Sequence, residues 1–322
     1  MKLHYLIAVS MLLPVIASGQ DKKPQPNADM SRVKLVGTTA HEPINEMSGI
    51  VKSQTYPDVY WVNNDSGDIP RVFAVRRDGS AIVGDVFSKA FHGEIAEEGK
   101  TPWPGIEVLL AANQDWEDIA VHDGKLYIAD LGNNANYRRD MGVYVLYEPN
   151  PEVTIRTRVL QHIPVRYPDQ KLFPAERWHF DSEAMFVVDG KLHFLTKHRA
   201  PGKHTEWEAG VNLYRLDTMD TSEANVLTKV DSHDQVALAT GADMSPNGKH
   251  LAIITYGALW VFDAPRSKGM WLSGRTRMLP LDYTITQQAE AVCWDDDETI
   301  LLSNEQRQIF EVRLADVPHG AP

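Results

Sequence analysis

The chain has 322 residues, 43% of them hydrophobic, enough for one large domain or two small ones. Its formal net charge of −12 argues against nucleic acid and anionic membrane as partners, because both are bound by basic surfaces. Cys293 is the only cysteine, so no internal disulfide can staple the fold and an apolar core must hold it.

Residues 1–19 read as a secretory signal peptide. Lys2 gives the positive start, Leu6 to Ile16 the apolar stretch and Ala17-Ser18-Gly19 a small-x-small cleavage site. The stretch is too short to span a membrane and no later segment is long enough, so the expected location is secreted or periplasmic. Residues 20–30 are polar and Pro-containing, as in a disordered leader. Residues 31–316 then read as one domain, expected to be monomeric, with 317–322 as a tail.

Within that domain a short pattern returns five times. It reads Met47-Ser48-Gly49-Ile50, Trp116-Glu117-Asp118-Ile119, Ser182-Glu183-Ala184-Met185, Gly241-Ala242-Asp243-Met244 and Ala289-Glu290-Ala291-Val292. Each copy opens an apolar run, followed by a turn, a second run, a polar loop and a third run. In the second copy these are Ile119–Val121, Leu126–Ala129 and Val143–Tyr147. Short length and a β-branched and aromatic bias predict strands. Asp123-Gly124, Asp189-Gly190 and Asn247-Gly248 supply the positive φ angles of tight hairpins.

A unit of this kind cannot bury its own apolar face, so the copies must stack. Three strands per copy and a weaker fourth predict an all-β chain folded as a β-propeller of five blades, with six as the alternative count. Outer strands are expected at 81–87, 153–165, 225–230 and 274–281. The fifth copy lacks one, and Ser31–Val36 would supply it and close the ring. Residues 88–114 lack the turn and second strand of a blade and read as an insertion.

The common phase aims Glu117, Glu183 and Glu290 at the central axis, with Ser48 in the same position of the first copy. Residues two earlier, among them Glu46, Asp115 and Asp181, would form a second layer. Converging carboxylates are costly without a counter-charge. Hard oxygen ligands suit Ca²⁺ or Mg²⁺, and an irregular many-ligand cage favours Ca²⁺. Solvated carboxylates, or pairing with Lys197, Arg199 or Arg307, is the competing account.

The loops between second and third strands open on the same face. They carry Asp65, Asp130, Asn133, Asn134, Lys197, Arg199, Tyr256 and Glu305, whereas the turns on the opposite face are short and ordinary. A ligand is therefore expected on the loop face. Turn formation alone would also account for the Asn/Asp-rich loops. His198 and His204 read as surface residues.

These motifs resemble those of calcium-dependent apyrases. Glu46-Met47-Ser48-Gly49-Ile50 is similar to their first axial motif, Trp116-Glu117 with 125–132 to their second blade, Ser182-Glu183 with Leu195–Arg199 to the third, and Ala289-Glu290 to the fifth. The resemblance implies a five-bladed secreted nucleotidase with Ser48, Glu117, Glu183 and Glu290 as Ca²⁺ ligands. It departs at blade four, where the family has serine and this chain has Ala242. In layout the chain also resembles the exported bacterial propellers described as TolB-like and, more weakly, phytase-like esterase and gluconolactonase/regucalcin propellers.

Two function classes follow. One is a metal-dependent hydrolase of a small anionic molecule, a phosphate ester or anhydride. Lys197 and Arg199, joined by Asn133, Asn134 and Tyr256, would bind the substrate, with Arg138 or Arg139 as further cations, and Asp65, Asp130 or Glu305 would be the general base. The other is a non-catalytic propeller that binds an extracytoplasmic protein, glycan or peptide, with the metal structural.

Overall fold

The computed structural model describes residues 29–320. The proposed signal peptide, nearly all of the leader and the last two residues of the tail lie outside the described residues.

Five antiparallel sheets stand around one axis. From the axis outward, blade 1 is Met47–Lys52, Tyr60–Asn64, Arg71–Val75 and Ile106–Leu109. Blade 2 is Trp116–His122, Lys125–Asp130, Gly142–Tyr147 and Gln161–Arg166. Blade 3 is Trp178–Val188, Lys191–Arg199, Val211–Arg215 and Thr228–His233. Blade 4 is Ala239–Met244, His250–Thr255, Ala258–Asp263 and Thr276–Pro280. Blade 5 is Ala289–Trp294, Thr299–Asn304 and Gln308–Arg313, and its outer strand is the N-terminal Lys34–Thr38. The five inner strands neighbour one another in a closed ring.

Lys34 pairs with Glu311 and Thr38 with Gln308, so the expected closure through the N-terminal strand is present, three residues further along at its start. It removes an edge that would otherwise invite pairing with another chain. Two more links hold the rim: Arg156–Arg158 runs parallel to Ile106–Leu109, and Asn225–Val226 runs parallel to Gln161–Arg166. Each hooks one blade's outgoing chain onto the edge of the blade before it.

One outer strand differs from expectation. The fourth strand of blade 1 is Ile106–Leu109, inside the insertion, and residues 81–87 hold only an isolated bridge from Ala81 to Val75 and a short turn at Asp85–Phe87. Gly84 lies so close to Glu152 that a Cβ would sit 1.7 Å from its carbonyl oxygen, which pins this segment against the next blade. The insertion packs on itself, with Phe91 edge-on to Trp103 at 5.3 Å, and on the segment before it, with Phe87 stacked on Trp103 at 4.7 Å.

The core is five interleaved layers, one between each pair of neighbouring blades. Cys293 is fully buried in the layer between blades 5 and 1. Burial of this kind keeps a thiol inert.

Candidate metal site at the channel mouth

Every inner strand carries a β-bulge near its start. The irregularity falls between Met47 and Gly49, Trp116 and Ile119, Ser182 and Ala184, Ala239 and Gly241, and Ala289 and Ala291. A bulge re-aims one side chain. The re-aimed residues are Ser48, Glu117, Glu183, Thr240 and Glu290, with Asp118 sharing the second bulge. In blade 4 the axial position is therefore Thr240, two residues before Ala242. Thr240 donates its hydroxyl to the Ala289 carbonyl at 2.7 Å.

The loops after the second strands do gather at this end. Asp65, Gly132 and Glu305 donate backbone N–H groups to the carbonyls of Glu46, Asp115 and Gln288, one blade after another. Carboxylate oxygens of Asp65, Asp115 and Glu117 lie within 4.8 Å of one another, and so do those of Glu117, Asp181 and Glu183. Glu117 is the shared corner. Gly132 makes room for it, since a Cβ there would lie 2.2 Å from Glu117 Oε1.

The two halves of this cluster are neutralised differently. On one side Lys197, 2% exposed, hydrogen-bonds Glu183 and reaches Tyr256 Oη at 3.4 Å. Tyr256 in turn donates to Glu290 Oε1 at 2.7 Å. Arg199 Nε donates to Asp181 Oδ2 at 3.2 Å, and its guanidinium also reaches Glu183 and Asn134. Trp207 covers the pair, its ring 4.0 Å from Arg199 and 5.4 Å from Lys197. On the other side Asp65, Asp115 and Glu117 form no salt bridge among the described residues; Glu117 receives only a long hydrogen bond from Ser48 Oγ, 3.4 Å.

The carboxyls respond to that setting. Burial is the first cause throughout, and neighbouring carboxylates add to it. Asp65 is pushed up to about 7, Asp115 to about 6 and Glu305 to about 7. Glu290 rises to about 8 although Lys197 and Tyr256 oppose the rise. Glu117 and Glu183 are also raised well above the ordinary range. Burial works against the Lys197 ammonium, but the surrounding carboxylates win and hold it charged.

Several anticipated site residues are engaged by neighbouring groups. Asp130 accepts from Arg138 at 2.9 Å and from the Asp115 N–H at 3.1 Å. This also commits Arg138, while Arg139 stacks 4.5 Å over Phe173. Asn133 is buried; its N–H donates to Asp181 at 2.6 Å and its side chain donates to the Phe180 carbonyl at 3.1 Å. Glu305 accepts from Gln288 at 2.7 Å at the rim. His198 is buried, in contrast to the expected surface position, and lies flat on His179 at 3.7 Å.

Sequence reasoning passed over Asp118. Its Oδ1 accepts from Ile119 N–H at 2.9 Å, and its Oδ2 accepts from Met185 N–H at 2.8 Å and Ala242 N–H at 3.3 Å. One carboxylate thus ties blades 2, 3 and 4 together across the axis. Its signal in sequence is slight, an Asp beside the conspicuous Glu117.

The fold is a five-bladed propeller. No family model matches the chain, and no curated protein matches it. Similar solved structures include the Neurospora crassa Pan2 WD40 domain, 11% identical with a TM-score of 0.43, covering 92% of this chain and 100% of that one. The Malassezia sympodialis allergen Mala s 1 is 10% identical with a TM-score of 0.45, covering 88% and 95%. Glutaminyl cyclase of Myxococcus xanthus is 11% identical with a TM-score of 0.43, covering 90% and 97%. Likeness this distant carries no argument about function, which has to be argued from the site. No helix among the described residues is long and apolar enough to cross a membrane.

Proposed function

We propose that the loop-face mouth binds a divalent cation, Ca²⁺ with Mg²⁺ as the smaller alternative, and that the protein is a secreted, metal-dependent hydrolase of a small phosphate ester or anhydride. The observation that carries the reading is the unneutralised trio of Asp65, Asp115 and Glu117 facing a half-cluster that already has its own cation in Lys197. Carboxylates this close, Glu117 buried and Asp65 and Asp115 half-buried, favour either protons or a metal. Their all-oxygen donor set fits a hard cation, and Ser48 and Asp181 stand within the same neighbourhood. The apyrase likeness of Ser48, Glu117, Glu183 and Glu290 agrees with this, with the centre displaced toward Asp65 and Asp115.

A bound divalent ion supplies charge to polarise a phosphoryl oxygen and acidify a water. The chain's own contribution is orientation and proton handling. Glu305, which stands outside the acidic trio and is pushed to about 7, can hold or release a proton near neutral pH, which is what a general base requires, whereas Asp65 serves that role only if it is not itself a ligand of the ion. Lys197 and Arg199 are spent on Glu183 and Asp181, so an anionic substrate is attracted only once the acidic trio is neutralised.

A second reading, binding of an extracytoplasmic protein or glycan with a structural metal, is favoured by that same commitment of Lys197 and Arg199. Calorimetry with Ca²⁺, followed by a panel of phosphate esters and nucleotides with Ca²⁺ or chelator, separates the readings. Ca²⁺ binding with Ca²⁺-dependent turnover supports the hydrolase. Ca²⁺ binding without turnover leaves the binding module, and absence of binding removes both.

A further inference from the structure

A large cavity lies at the other end of the channel. It has a volume of about 1000 Å³ and is lined by the turns that join first and second strands, together with the 264–271 loop of blade 4. This size is at the upper end of what small-molecule sites occupy, ~300–1,000 Å³. The short turns judged ordinary in sequence enclose it jointly, each blade giving a few residues.

Its walls have two characters. Val121, Val188, Met244 and Trp271 provide an apolar surface. Lys52, Lys191, Arg215, Arg266 and Lys268 line the same space. Lys52 is paired with Asp295 at 2.6 Å and Lys268 with Asp189 at 3.1 Å. Lys191 and Arg215 share the single carboxylate of Asp217 at 2.6 and 2.7 Å. Arg266 has no carboxylate partner among the described residues. Five cations thus meet three carboxylates, a surplus of two positive charges in a chain whose net charge is −12. Asp243, also in the lining, reduces this surplus to one when it is ionised, which leaves Arg266 as the cation without a carboxylate of its own. Its carboxylate is turned to the N–H groups of Met244 and Trp294, each at 2.8 Å.

We infer that this cavity is a second ligand site, taking an organic anion with an apolar body: a carboxylate, sulfonate or phosphate monoester on a hydrocarbon or aromatic frame. The apolar wall would bury the body, and Arg266 with the Lys191–Arg215 pair would meet the acid group. The inference is independent of the metal site, which occupies the opposite mouth.

The test uses two fluorescent probes that share an aromatic body and differ in charge, 8-anilinonaphthalene-1-sulfonate and uncharged N-phenyl-1-naphthylamine. The sulfonate should bind at one site per chain. The double variant Arg266→Glu/Lys268→Glu changes exposed side chains and should weaken the sulfonate at least five-fold while leaving the neutral probe nearly unchanged. Val188→Trp, which fills the cavity, should weaken both, and Lys203→Glu at the opposite mouth should affect neither. Sulfonate binding that is absent, or that is as tight in the double variant as in the parent, overturns the inference.

Discussion

At the mouth where the inner strands begin, Asp65, Asp115, Glu117, Asp181 and Glu183 crowd together with two buried cations among them. At the mouth where the same strands end, five cations surround a wide cavity with an apolar wall. A six-residue inner strand separates the two by roughly 20 Å. The difference arises from where each strand is irregular. A bulge at the start of all five strands turns an axial side chain inward and narrows that end, whereas regular hairpins at the far end leave the turns splayed around open space. One fold repeat thus yields a tight mouth crowded with carboxylates and a roomy one lined by cations. At that separation, substitutions at one mouth should be nearly silent at the other.

Asp118 is where the comparison can be broken most severely, because it joins the blades between the mouths. Asp118→Ala leaves the N–H groups of Ile119, Met185 and Ala242 without their acceptor. The expected cost is about 3 kcal/mol or more, since each buried unsatisfied donor is expensive. For a domain of this size that is a fall in Tm of roughly 6–12 °C, read by calorimetry. Both Ca²⁺ binding and sulfonate-probe binding should weaken. An unchanged Tm would show that the axis is held without this carboxylate.

Glu117→Gln sharpens the comparison with a smaller effect. It removes one charge from the corner shared by both acidic triads and keeps the side chain's shape. Ca²⁺ affinity should fall at least ten-fold, about 1.4 kcal/mol, while the sulfonate probe at the far mouth binds as before. Equal Ca²⁺ affinity in the variant would place the cation elsewhere.

How far the sequence could reveal this contrast depended on whether a feature was local. The phase of Glu117, Glu183 and Glu290 was readable because each sits at the start of its own apolar run. The closing strand was readable because the fifth copy visibly lacked a fourth. Blade 4 misled because Gly241-Ala242-Asp243 imitates the motif two residues late, and the bulge at Thr240 is fixed only by pairing with His250–Thr255. The outer strand of blade 1 was misplaced because two segments reach the same edge, Ile106–Leu109 pairing with Arg71 and Val72 while Ala81 keeps a single bridge to Val75. The bracing roles of Asn133 and Asp130 and the far cavity are assembled from distant segments. No single turn announces them.

The smallest expected effect is a pH dependence, and its sign tests whether the acidic mouth lacks a counter-charge. Asp65, Glu305 and Glu290 have values of about 7, 7 and 8 in the fold, against roughly 4 for carboxyls in an unfolded chain. With folded values raised, the native state holds more protons than the unfolded one across this range. Their contribution is full below the unfolded values and is lost as pH rises through the folded ones. His193 and His198, pushed down to about 4 and about 3 by burial, act in the opposite direction once acidification begins to charge them in the unfolded chain. That begins near the ordinary histidine value of about 6.5, so the useful interval is pH 6.5 to 8. In chelator, Tm should fall by a few degrees across that interval. With saturating Ca²⁺ on Asp65, Asp115 and Glu117 the charge of the ion lowers the proton affinity of Asp65 and its neighbours, and the slope should flatten or reverse because protons now compete with the metal. Mg²⁺, which demands a tighter octahedral shell, should flatten it less. A Tm that is level or rising in chelator would mean that Lys197 and Arg199 already balance the whole cluster, and the acidic mouth would lose its claim to a cation.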